Sequence, residues 1–122
     1  MKPVSKAAAL CGLAAMALMS GCHSYRIDAT VENRTGKSIQ LLEVDYPNAS
    51  FGVDALSDGS DYHYRFQVQG RGPIKVQYTE GGTLTVHQVT GPGLSERQEG
   101  QLEIVLLPGG QTQFHPKLTP ER

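Results

Sequence analysis

From residue 25 onward the chain alternates apolar and polar side chains at a period of two, segment after segment, and this rhythm excludes most folds before any motif is considered. A strand sends successive side chains to opposite faces, so alternation marks a strand with one face buried and one wetted. Ile27, Ala29 and Val31 alternate with Asp28, Thr30 and Glu32 until Asn33-Arg34-Thr35-Gly36, where Asn and Gly tolerate the positive φ of a tight turn. Ile39, Leu41 and Val44 indicate a second strand, broken by Tyr46-Pro47-Asn48. Phe51 to Leu56 is shorter, interrupted by Gly52 and closed by Ser57-Asp58-Gly59-Ser60-Asp61, which suits an edge or sheet-switching strand.

Tyr62 to Gln69 carries the strongest alternation, with Tyr64, Phe66 and Val68 on the expected core face and His63, Arg65 and Gln67 opposite. Gly70-Arg71-Gly72-Pro73 turns the chain into Ile74, Val76 and Tyr78, and Gly81-Gly82 turns it again into Leu84 and Val86, so these three strands are expected to form a meander. A loop is expected from Gly91 to Gly100, where Ser95 and Gln98 stand at capping-box spacing but leave room for one helical turn at most. Leu102, Ile104 and Leu106 make a further strand, and Pro108-Gly109-Gly110 leads into a short last one around Phe114. Seven or eight short strands with turn signals between them predict an all-β fold: a small antiparallel β-sandwich, immunoglobulin-like, over residues 25–116, with residues 117–122 as a tail. A small open β-barrel is the alternative.

Ahead of the alternation stands a different composition. Lys2 and Lys6 precede an uncharged run from Ala7 to Met19, well short of the roughly 20 residues of a spanning helix. It ends in Leu18-Met19-Ser20-Gly21-Cys22, which resembles the lipobox of bacterial lipoproteins, with small residues just before the cysteine. The resemblance implies that residues 1–21 are a signal peptide removed at Cys22, that the Cys22 sulfur carries a diacylglyceryl group, and that its freed amine is acylated, palmitate being a typical chain. Residues 22–24 are then the lipidated cysteine and a short tether. His23, where an Asp commonly favours inner-membrane retention, implies the periplasmic leaflet of the outer membrane if the host is Gram-negative. Cys11 lies inside the leader, so no disulfide is expected.

Removing the leader leaves 101 residues, with nine Lys and Arg against twelve Asp and Glu. That is one domain, large enough to fold without staples. Mild acidity with basic residues scattered along the chain argues against nucleic acid and gives no polybasic run for a membrane. No nucleophile elbow, zinc-protease helix or phosphate-cradling loop occurs, no cofactor is implied, and an enzyme is not expected, a small hydrolase being the weakest reading. Asp54, Asp58 and Asp61 lack EF-hand spacing and fit turn support, while Asn33-Arg34-Thr35 and Asn48-Ala49-Ser50 match the glycosylation pattern by accident. His63 and His87, on the polar face of the expected meander, form the alternative of a periplasmic metal site. The leading expectation is a non-enzymatic binding or scaffolding module, held to the membrane by Cys22. Its candidate binding face is His63, Arg65, Gln67, Lys75, Gln77, Thr85 and His87, with an envelope protein or polysaccharide as partner. Replacement of Cys22 by Ser should leave an exported but unlipidated protein, checked by loss of metabolic palmitate labelling and of partitioning into detergent.

Overall fold

The computed structural model describes residues 23–120; the leader-like segment and Cys22 lie outside them. Eight strands occur among the described residues: β1 (Ile27–Asn33), β2 (Ile39–Tyr46), β3 (Ala49–Leu56), β4 (Asp61–Phe66), β5 (Arg71–Glu80), β6 (Val86–Ser95), β7 (Gly100–Leu106) and β8 (Thr112–Leu118). They form two four-stranded sheets, β4-β1-β7-β8 and β3-β2-β5-β6. The fold is thus the expected sandwich and not a closed barrel. All pairs are antiparallel except β1 with β7, which run parallel.

The alternation places the core as expected along most strands. Ile27, Ala29 and Val31 of β1, Leu102, Ile104 and Leu106 of β7, and Ile74, Val76 and Tyr78 of β5 are all buried between the sheets. Along the side where edge strands β3 and β4 meet, rings close the gap: Tyr46 stacks on Phe66 at 4.2 Å between centroids, and Phe51 on Tyr64 at 4.6 Å. These contacts also set the axial level of one sheet against the other.

Four expectations are corrected. The meander does not form, because β4 belongs to one sheet and β5 and β6 to the other; alternation specifies which face is buried but not which strand is the neighbour. The link between β4 and β5 crosses the sandwich with Val68 buried and with the Asn48 Nδ2 donating to the Gln69 carbonyl. In β2 a bulge sets Leu41 and Leu42 together opposite Tyr78, so Leu42 enters the core and Leu41, at φ 52°, is left 64% exposed. In β6 the hairpin register pairs Tyr78 with His87 and Thr79 with Val86, a one-residue slip that turns His87 inward and Val86 outward. Finally, β6 continues to Ser95 and β8 to Leu118, so the expected loop shrinks and the expected tail is partly strand. Pro92 is tolerated there because β6 is an edge strand. The Ser95 amide does donate to the Gln98 Oε1 at 2.9 Å, but no helix follows.

Strand registers divide the loops between two ends. The end where β1 begins, here the near end, carries residues 23–26, 47–48, 67–70, 96–99 and 119–120. The far end carries the four turns 34–38, 57–60, 81–85 and 107–111. There Asn33, fully buried at the end of β1, donates from Nδ2 to the carbonyls of Lys37, Leu56 and Ser57 and accepts at Oδ1 from the Thr35 amide and hydroxyl. Its amide is therefore no glycosylation site. Replacing Asn33 by Ala leaves buried carbonyls unsatisfied at about 1–3 kcal/mol each where water cannot reach, so a loss of about 3 kcal/mol in urea unfolding is expected.

Candidate functional site

The residues expected to share one polar face are distributed over three surroundings. His63 and Arg65 lie on the outer face of the β1 sheet, where His63 Nδ1 is 3.0 Å from the Thr30 hydroxyl and Arg65 Nε donates to Asp28 at 2.7 Å. Gln67 lies beyond the end of β4, in the crossing link. Lys75 and Gln77 point outward from the opposite sheet, and Thr85 sits in the β5–β6 hairpin. His87 faces inward. His63 and His87 therefore belong to different sheets and face different spaces, so they cannot share a metal ion. Among the described residues no group of three His, Cys, Asp or Glu is placed to hold one.

What the fold assembles instead is a four-strand polar face on the β1 sheet. Register places Arg65, Asp28, Gln101 and Lys117 in one row across it and His63, Thr30, Glu103 and His115 in the next but one. A shallow depression of about 510 Å³ lies over Asp28, Thr30, His63, Arg65, Gln101 and Glu103. Beyond it Arg34 bridges Glu32 at 2.9 Å and Asp61 at 3.2 Å. Loss of hydration first, then the neighbouring Glu103 carboxylate, push Glu32 above the usual carboxylate range, and Arg34 offsets this only in part.

The far end has its own charged group. Lys37 meets Glu80 at 3.0 Å and His87 Nε2 lies 3.4 Å from the same carboxylate, so hydrogen bonds from Lys37 and then His87 hold Glu80 below the usual range. Gly110, at φ 77°, closes over this imidazole: a Cβ there would stand 2.3 Å from His87 Nδ1. Tyr78 packs against the same ring, and its buried hydroxyl has no hydrogen-bond partner. Burial and then Glu80 raise the Tyr78 hydroxyl above its ordinary range.

The third feature was hidden in the sequence by the bulge and the slip. Leu41, Leu84 and Val86 are exposed by 64%, 95% and 56%, and all three lie at the far end of the β2–β5–β6 sheet. Thr79 of β5 stands between Gln40 and Val86, so the Leu41 bulge and Val86 are about two strand spacings, roughly 10 Å, apart. The hairpin that carries Leu84 is ordered by hydrogen bonds from the Glu80 amide to the Thr85 carbonyl at 2.9 Å and from the Gly81 amide to the Ser38 carbonyl at 2.8 Å. The signal available was Leu84 itself, placed two residues after a glycine pair, inside the turn and not in the strand.

The two carboxylates predict opposite pH responses. The depressed Glu80 stabilises the fold above its ordinary value of 4.5, and that contribution is lost as pH falls through the lower folded value. Glu32, raised from 4.5, favours the fold below that value and loses this contribution as pH rises through the higher folded one. Thermal melts should show Glu80→Gln less stable than the parent at neutral pH and Glu32→Gln more stable, both differences shrinking towards about pH 3.

No protein-family model matches the chain, and no curated protein matches it in sequence. Among solved structures it is similar to one described as the NMR structure of the protein from Eubacterium rectale, with a TM-score of 0.55 and 13% identity, covering 77% of this chain and 90% of that one. At that identity the likeness concerns the sandwich fold alone.

Proposed function

We propose that this protein is a lipid-anchored module of the bacterial envelope that binds another envelope protein through the far end of its sandwich, without catalysis. The observation that carries this reading is the position of Leu41, Leu84 and Val86 at the end opposite the one that carries His23, the first described residue. Large exposed aliphatic side chains gathered in one place are costly to leave in water, and they mark contact surfaces more often than chance solvation does. Here they stand on a bulge and a hydrogen-bonded hairpin, so little side-chain or loop ordering opposes docking.

The lipobox-like leader supports the anchor, and His23 supports the outer membrane's periplasmic leaflet in a Gram-negative host. The tether after Cys22 is short, and His23 Nε2 lies 3.0 Å from Glu99, which draws it against the near end. The far end then points away from the bilayer, towards a partner that offers an apolar pocket. Glu43 and Asp54, which line a shallow depression together with Leu41, favour a partner with a basic rim.

A photoreactive residue at position 84 should crosslink one envelope protein in living cells, identified by mass spectrometry, whereas one at position 117 should not. Leu84→Asp should weaken that complex about tenfold or more, as loss of a central apolar contact does. Crosslinking from position 117 with none from position 84 would reject the far-end surface.

A further inference from the structure

We propose that the near end of the sandwich is a docking surface for an anionic phospholipid bilayer, an inference that rests on the lipoprotein reading above. Six of the eight Lys and Arg among the described residues gather there: Arg26, Arg65, Arg71, Lys75, Arg97 and Lys117. Register fixes their level. Arg65 and Lys117 lie one residue inside the row that begins β1, Lys75 pairs with Asp45 at the close of β2, and Arg71 pairs with Ser95 beyond it. Arg26 precedes β1, and Arg97 lies in the loop before β7.

Among the described residues four carboxylates share this end, Asp28, Asp45, Glu96 and Glu99, of which Asp28 is held by Arg65 at 2.7 Å and Glu99 by His23 at 3.0 Å. The excess there is positive. At the far end and along the middle of the strands the balance reverses, with Arg34 and Lys37 facing seven carboxylates that include Glu32, Asp58, Asp61 and Glu80. Glu103 and Glu43 stand two residues, about 7 Å, beyond the Lys117 and Lys75 rows and offset part of this excess, whereas the Glu32 row lies four residues beyond the Lys117 row, about 13 Å, which exceeds the screening length of about 8 Å at physiological ionic strength. A charged bilayer at the near end therefore senses mainly the basic excess, and the acidic far end is repelled from it.

Charge complementarity selects the occupant, and the start of the described chain at His23, next to Cys22, supplies the location. The acyl chains hold the protein down; the basic end makes it stand upright. In the linear sequence these residues are spread from 26 to 117, so no polybasic run announces them.

The test uses the full-length protein purified from membranes, whose intact mass reports acylation of Cys22. Reconstituted in nanodiscs of phosphatidylcholine with about one third phosphatidylglycerol and a gadolinium headgroup lipid, it should show amide relaxation enhancement at residues 48, 67–70 and 96–97 at least threefold above that at 34–37 and 81–85. The contrast should fall by half or more in pure phosphatidylcholine, in about 0.5 M salt, and in a Lys75→Glu/Lys117→Glu variant. Both lysines are exposed, so the variant should melt as the parent does. An identical profile in the two lipids, or stronger enhancement at the far turns, would overturn the proposal. If the mass shows an unmodified Cys22, the lipoprotein reading fails separately. The same protein is then floated with phosphatidylglycerol vesicles, where charge-reversal-sensitive binding supports the basic end and absence of binding overturns it.

Discussion

The carboxamide of Asn33 is the point on which the far end is built. Both crossings between the sheets on that side, from β1 to β2 and from β3 to β4, pass over the end of β1, and each leaves backbone carbonyls where no strand can reach them. One buried amide nitrogen serves the carbonyls of Lys37, Leu56 and Ser57, and its oxygen holds Thr35. An apolar residue continuing the pattern Ile27-Ala29-Val31 would fill the space but orphan those groups. From there the connection runs outward: the Gly36 amide donates to Asp58, the Ser38 carbonyl accepts from the Gly81 amide, and Lys37 pairs with Glu80 beside His87. Three turns that are remote in sequence thereby form one platform, and Gly110 of the fourth closes over His87.

That platform explains why sequence and structure agree on the layers and part at the rim. Period-two alternation locates buried faces, and it did so for β1, β5 and β7 and for Phe66 of β4, though Tyr64 on the same face stays 39% exposed at the sheet edge, because burial is a property of single side chains. Neighbour choice is not. Nothing in Tyr62 to Gln69 distinguishes a hairpin into the next strand from a crossing to the other sheet, and the crossing dispersed the face built on His63, Lys75 and His87. Phase was lost where an extra residue enters the ladder: Leu41 at the bulge and Val86 after the hairpin both read as core and both face water. The polar row of Thr30, Glu103 and His115 beside His63 escaped notice because it needs the parallel pairing of β1 with β7, a contact across 73 residues for Thr30 and Glu103.

The side walls of the sandwich are protected unequally. On one side Tyr46, Phe51, Tyr64 and Phe66 fill the gap between β3 and β4, with the Tyr62 hydroxyl donating to the Gly52 carbonyl at 3.2 Å. On the other, β6 carries Pro92 among glycines and β8 carries Pro116, each removing a donor from a free edge. Association through strand addition is thereby discouraged.

The parallel pairing of the first strand with the seventh has a consequence for biogenesis. A chain synthesised from its N-terminus delivers β1 early, yet β1 must wait for β7, and β7 for β8, before its sheet can close. Such non-local closure is slow, on the order of milliseconds to seconds. Throughout that interval β1 has only its antiparallel neighbour β4 to pair with. Topology thus acts as a timer, keeping the start of the domain accessible until the last strand has emerged.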